Sequence, residues 1–160
     1  MSDSKPDLAE LEPAELEAVV TGLGAKRFHA QQIFRWLHRR GHERVDQMTD
    51  LSQSLRAQLD AACTITTPSV TDRARSADGT EKFLFTLGDG RTIESVFIPD
   101  TPALTFCVST QVGCAMRCGF CLTGKMGLTR HLTAGEIAGQ VRVLARELDL
   151  QDTRFNIVLM

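Results

Sequence analysis

Cys114, Cys118 and Cys121 fall within the run Cys114-Ala115-Met116-Arg117-Cys118-Gly119-Phe120-Cys121, a C-x3-C-x2-C spacing. Three thiolates on one short loop can converge on a single metal or cluster, and Gly113, Gly119 and Gly124 let backbone approach closely. A structural zinc site takes four protein ligands. Here a fourth is not obvious, and His131 is the only candidate close in sequence. Three cysteines instead leave one corner of a 4Fe-4S cluster open for a non-protein ligand. From the residues alone iron–sulfur stands first, zinc second and unliganded thiols third. Cys63 and Cys107 bring the total to five, an odd number that suits a disulfide framework poorly.

The 160 residues are enough for one ordinary domain or two small ones. With 42% hydrophobic and 24% charged residues, the composition is that of a soluble globular protein and excludes disorder for most of the chain. No apolar stretch approaches the ~20 residues of a membrane-spanning helix. The polar, acidic start Met1-Ser2-Asp3-Ser4-Lys5-Pro6-Asp7 does not read as a secretory signal, so a cytoplasmic protein is expected. The net charge of -2 gives no global case for nucleic acid, but charge is unevenly spread. Residues 25–45 hold Lys26, Arg27, Arg35, Arg39, Arg40 and Arg44 against Glu43 alone. Such an excess can grip phosphates through Coulomb attraction and counterion release, or it can be a solvated helix face.

Residues 1–62 read as helical. Pro13 suits the first position of a helix whose apolar residues are Leu16, Val19, Val20 and Leu23, and Gly22 and Gly24 end it. A second helix is predicted from about Phe28 to Arg40, with Phe34 and Trp36 in the core, and a third from Leu51 to Ala61 behind Thr49 and Asp50 as candidate caps. From about residue 68 the period changes. The runs 81–87 and 91–98 are strands joined by Gly88-Asp89-Gly90, a strong hairpin signal, and Pro99 and Pro102 then suggest a linker. Residues 103–109 read as a strand before the cysteine loop. Thr133 and Glu136 form a capping box for a helix carrying Ile137, Val141, Leu144, Ala145 and Leu148, and 154–160 reads as a second, buried strand. Strand, loop, helix, strand is one βαβ unit of a parallel sheet. One such unit cannot cover both faces of a parallel sheet, so the chain is expected to be a fragment of a larger α/β enzyme.

The loop and its flanks resemble the RlmN/Cfr family of radical S-adenosylmethionine (SAM) RNA adenine methyltransferases. The resemblance is carried by Ser109-Thr110-Gln111-Val112-Gly113-Cys114-Ala115-Met116-Arg117-Cys118, by Thr123-Gly124, by Arg130 and by Leu132-Thr133-Ala134-Gly135-Glu136-Ile137. It extends upstream through Ile93-Glu94-Ser95-Val96-Phe97-Ile98-Pro99, Met48-Thr49-Asp50-Leu51-Ser52 and the helix 27–37. The RlmN branch, which methylates adenine C2 in 23S rRNA and in some tRNAs, is the nearer one; the other branch methylates C8.

The resemblance implies a division into a helical RNA-binding accessory domain (1–66), a β-hairpin linker region (67–102) and the first βαβ unit of a radical SAM partial (β/α) barrel (103–160). It implies that Cys114, Cys118 and Cys121 hold a 4Fe-4S cluster whose open iron chelates SAM, and that a reductant such as flavodoxin supplies electrons. Glu94 matches the family's proton acceptor at the substrate carbon. Cys107 matches a cysteine able to form a disulfide with a catalytic cysteine near the C-terminus; taken in isolation it reads as a small buried strand residue. Cys63 matches nothing. Arg35, Arg39 and Arg40 are the candidate RNA contacts, and the enzyme is expected to act as a monomer, away from membranes, on 23S rRNA and tRNA.

The family's Gly-Glu-Pro stretch and its methyl-carrying cysteine are expected beyond Met160, so these residues alone are expected not to turn over. The competing reading is a non-catalytic RNA-binding fragment with structural zinc or a vestigial cluster site. A third is a radical SAM enzyme with a small-molecule substrate.

Overall fold

The computed structural model describes residues 5–99 and 103–160; Met1–Ser4 of the polar leader and the proposed breaker Pro102 lie outside them. The chain divides into two compact units, one running to Thr67 and the other from Pro68.

The first unit is helical. Helix α1 (Pro13–Gly22) starts on the expected proline, and a capping box between Glu12 and Glu15 satisfies its first free backbone donors. Helix α2 (Phe28–Phe34) runs directly into a π-helical turn, Arg35–Arg39, instead of continuing as one α-helix to Arg40. Helix α3 (Gln53–Ala62) is capped by Ser52, whose side chain accepts from Leu55 N–H at 3.2 Å. Thr49 and Asp50, the expected caps, do not serve. Asp50 instead accepts a 2.6 Å hydrogen bond from Trp36 Nε1, which lets the indole be buried with its donor satisfied. Trp36 lies in a core with Leu8, Leu16, Val20, Ile33, Leu37, Met48, Leu55 and Leu59. Phe34 does not join it and is 36% exposed; Ala30 and Ile33 are the buried residues of α2, and Phe34, one residue past Ile33, is turned about 100° away from it. Asp7 ties the start of the unit to its end, accepting from the backbone N–H of Thr66 at 3.1 Å.

The second unit is built on a five-stranded mixed sheet whose strands lie in the order 69–75, 81–86, 92–98, 105–108 and 156–159. Strands β2 (Glu81–Thr86) and β3 (Thr92–Ile98) form the expected hairpin, with Phe83, Phe85, Ile93, Ser95 and Phe97 buried on one face. A further strand, β1 (Ser69–Arg75), pairs antiparallel with β2. Strand β4 (Thr105–Val108) pairs antiparallel with β3 and parallel with β7 (Asn156–Leu159), so the expected βαβ unit is present. Between β4 and β7 lie β5 (Gln111–Gly113), α4 (Leu122–Met126), β6 (Leu128–His131) and α5 (Ala134–Glu147); β5 and β6 form a small antiparallel sheet of their own. Helix α5 starts at the expected capping box of Thr133 and Glu136. Its Val143, Leu144 and Ala145 pack with Phe83, Phe85, Phe106 and Val108 in the second core. The expectation that β7 is buried is corrected. Among the described residues it pairs with β4 alone, at the sheet edge, and its four residues are exposed.

Candidate active site

The cysteine loop hangs from the β5–β6 ribbon. At its neck, Cys114 N–H donates to Gly127 O at 3.1 Å, closing the segment that holds all three cysteines. Gly113 has φ +76°, and a Cβ there would sit 1.9 Å from Gly127 O, so only glycine fits the closure. Inside the loop, Gly124 of α4 lies against the Cys118 backbone; a Cβ on Gly124 would meet Cys118 N at 3.0 Å. This close approach presses α4 onto the loop beside a cavity of about 440 Å³ lined by Arg117, Cys118, Gly119, Gly124, Lys125, Met126 and Gly127. Arg117 adopts a left-handed φ of 50° in the same turn, and the loop leaves Met116, Phe120, Leu122 and Met126 exposed.

Cys114, Cys118 and Cys121 are free thiols of intermediate burial. They share the loop but do not converge in this structure: among the described residues no three His, Cys, Asp or Glu side chains are arranged to hold a metal ion. The donor set is nonetheless soft and three-membered, which is the chemistry of a cluster with one open iron. His131 lies in β6 beside Gln111, with Nδ1 3.3 Å from the Gln111 amide nitrogen. Cys63 is buried in the helical unit, where desolvation pushes its thiol pKa up.

Glu94 stands on the face of the main sheet opposite the packed core, because alternation along β3 sends Ile93 and Ser95 to the buried side. Its carboxylate is half-exposed and pairs with Lys82 Nζ of β2 at 2.9 Å; this hydrogen bond and charge hold the Lys82 ammonium above its ordinary pKa. Cys107 pairs across the ladder with Val96, two residues from Glu94, so Cys107 and Glu94 share that face. Cys107 is free and of intermediate burial.

Two polar assemblies, neither signalled by spacing, tie the loop to these strands. The first centres on Gln140, a fully buried residue of α5. Its Oε1 accepts from Ser95 Oγ at 2.8 Å and from Ser109 N–H at 2.9 Å, and its Nε2 donates to Ser109 O at 2.9 Å. Ser109 Oγ in turn donates to the Glu94 carbonyl at 2.6 Å. One amide thus joins the Glu94 strand, the chain entering the cysteine loop and helix α5. The second centres on Arg130, which leaves the loop on β6. It forms a bidentate pair with Glu136 at 2.7 and 2.8 Å and reaches Asp89 of the hairpin turn at 2.9 Å. Hydrogen bonds from Arg130 lower the Glu136 pKa, and the same partners raise that of Arg130. Asp89 is held at about 2, first by the Arg91 backbone N–H and then by the Arg91 and Arg130 side chains.

In the helical unit, Arg35 and Arg39 are exposed on the π-turn, and Arg40 stacks over the Trp36 ring at 4.2 Å. No helix among the described residues is long and apolar enough to cross a membrane.

The mixed α/β architecture matches part of the fold of a solved radical SAM methyltransferase. A solved structure of a radical SAM methyltransferase from Sphaerobacter thermophilus matches 95% of this chain and 45% of its own, with a TM-score of 0.84 at 42% identity. Residues 6–65 match the family described as ribosomal RNA large subunit methyltransferase N-terminal domain. The dual-specificity RNA methyltransferase RlmN of Anaeromyxobacter dehalogenans is 46% identical over 148 residues, which is 92% of this chain and 40% of that protein. RlmN 2 of Myxococcus xanthus is 52% identical over 144 residues, covering 89% and 38%. RlmN of Geobacter sulfurreducens is 45% identical over 158 residues, covering 99% and 43%. The chain therefore resembles the RlmN family along almost all its length, and it spans about 40% of the length of these curated relatives.

Proposed function

We propose that this chain supplies the RNA grip and the cluster-binding part of a cytoplasmic radical SAM methyltransferase acting on C2 of adenine in 23S rRNA and tRNA. The observation that carries the reading is the three-cysteine loop, closed at Gly113 and Gly127 and tied by Gln140 to the strand bearing Glu94. In this reading residues 1–66 are the accessory domain, 67–102 the link and 103–160 the start of the radical SAM core. Cys114, Cys118 and Cys121 would hold a 4Fe-4S cluster, with SAM at its open iron. The two together supply a radical able to activate a methyl group, with electrons from a reductant such as flavodoxin.

The chain's own residues do the rest. Glu94, on the open sheet face, accepts the proton that must leave adenine C2. Cys107, on the same face, is a redox partner for a cysteine outside this chain. Arg35, Arg39 and Arg40 hold phosphates while the base is presented, a grip that needs no sequence readout. The experiment is methyl transfer by the full-length protein from methyl-labelled SAM to an RNA hairpin deuterated at adenine C2. Label gained with deuterium lost supports the reading. Label gained with deuterium kept moves the chemistry to another position, and no label under reducing, anaerobic conditions contradicts it.

A further inference from the structure

The helical unit holds a cavity that the reaction described above does not use. It measures about 330 Å³ and is lined by Pro13 and Glu17 of α1, Ala30, Gln31 and Phe34 of α2, and Arg35 of the π-turn. That volume lies at the small end of ligand pockets, which start at roughly 300 Å³, and it accommodates one planar heterocycle. Phe34 gives the cavity an aromatic wall, and His38 lies against the same ring at 4.4 Å. Phe28, 51% exposed, stands three residues before Gln31 and seven before Arg35, so all three lie on one side of the helix. The partly exposed face of Phe34 is the aromatic surface that this cavity offers to a partner.

The charge around the cavity selects that partner. Lys26, Arg27, Arg35, Arg39 and Arg40 crowd residues 26–40, which contain no acidic side chain. The acid on the cavity wall, Glu17, is already engaged by Arg27 at 2.7 Å. On α1, Glu12 and Glu15 are turned into the capping box. A polyanion with flat aromatic faces fits both properties. Gln31 offers an amide donor and acceptor for a base edge, and Arg35 offers a charge for the neighbouring phosphate.

We propose that the Phe34 cavity receives one unstacked nucleobase of single-stranded or loop RNA, stacked on Phe34, with its edge at Gln31 and its phosphate at Arg35. The site rests on the RNA-substrate reading above and adds to it a second base contact, distinct from the adenine that reacts. It would fix the register of a loop whose backbone the arginines alone could let slide.

The test measures binding of the chain to RNA stem-loops carrying single abasic nucleotides, across a salt series. Phe34→Leu keeps apolar volume but removes the ring. It should weaken binding about 10-fold with the salt slope unchanged, whereas Arg35→Gln should also flatten the slope. One abasic position should weaken the wild-type chain by about the same factor and leave Phe34→Leu unaffected, since both changes remove one contact. Phe34→Trp should bind at least as well as wild type. RNA bound equally by wild type and Phe34→Leu would overturn the base site and leave the RNA reading standing. A Phe34→Leu loss that no abasic position reproduces would overturn it too. No binding of any RNA by the wild-type chain would overturn both, and Phe34-dependent capture of an acidic amphipathic peptide instead would give the cavity to a protein partner.

Discussion

Gln140 and Ser109 bond to each other twice, amide to peptide, with the Gln140 side chain taking both the N–H and the C=O of Ser109 at 2.9 Å. This is how a strand neighbour would treat that peptide, but it comes from a helix and from a fully buried residue. Replacing it with leucine keeps the volume and strands the Ser109 peptide and the Ser95 hydroxyl. Gln140→Leu should therefore lose about 2–4 kcal/mol of stability, or roughly 10–20 °C in the unfolding midpoint of its unit. Thermal unfolding measures it. A shift of only a degree or two would show that this amide does not hold the strands and the loop entry together.

Much of this architecture was legible in the sequence. The hairpin announced itself through Asp89-Gly90 between β-rich runs, and α5 through Thr133 and Glu136, because both signals are local. Strand β1 was not legible: Ser69-Val70-Thr71-Asp72-Arg73-Ala74-Arg75 is exposed nearly throughout, so no alternation marks it. The β5–β6 ribbon is too short for any period to register. Phe34 reads as a core residue by its apolar character, yet Ala30 and Ile33 take the inward side of α2 and leave it partly exposed. At the candidate site, the cysteines and Glu94 could be read from motif and resemblance. Gln140 acquires its role through Ser109, 31 residues away, and Arg130 reaches the hairpin only through Asp89, 41 residues away.

The Arg130 assembly makes stability depend on acid. Asp89 and Glu136 both have folded-state pKa values below their ordinary ones of 3.8 and 4.5, Asp89 at about 2. A depressed carboxylate stabilises the fold above its unfolded pKa, and that contribution is lost as pH falls through the folded value. The loss should run from about pH 4.5 down to about pH 2. In Arg130→Gln the stability should be lower at neutral pH, and its curve should converge on the wild-type curve toward pH 2. Denaturant midpoints across that range decide the matter. Parallel curves would remove Arg130 from the account.

Gly113 is a sharper probe of the loop. Alanine there must adopt φ near +76° and place its Cβ 1.9 Å from Gly127 O. Gly113→Ala should cost about 3 kcal/mol or more, or else spring the neck open and abolish iron uptake with the rest of the fold intact. Circular dichroism and iron content together separate the two outcomes. A variant that takes up iron normally at wild-type stability would contradict the tight closure.

Glu94 has a bland alternative, an exposed ion pair with Lys82 that solvent screens and that contributes little to stability. If it accepts the proton from adenine C2, Glu94→Gln in the full-length enzyme should keep its iron and still methylate the carrier cysteine. Turnover should fall about 100-fold or more, and a covalent protein–RNA species should accumulate on gels. Lys82→Met should leave that species absent. Near-normal adenine methylation by Glu94→Gln would return Glu94 to the strand pair.

The central claim is that the loop of Cys114, Cys118 and Cys121 holds an iron–sulfur cluster. The direct measurement is iron, sulfide and zinc content of the chain after anaerobic reconstitution, beside a Cys118→Ala variant. The account predicts about four iron and four sulfide per wild-type chain, a broad visible absorption band, and loss of both in the variant. Stoichiometric zinc without iron, or iron retained unchanged by Cys118→Ala, would contradict it.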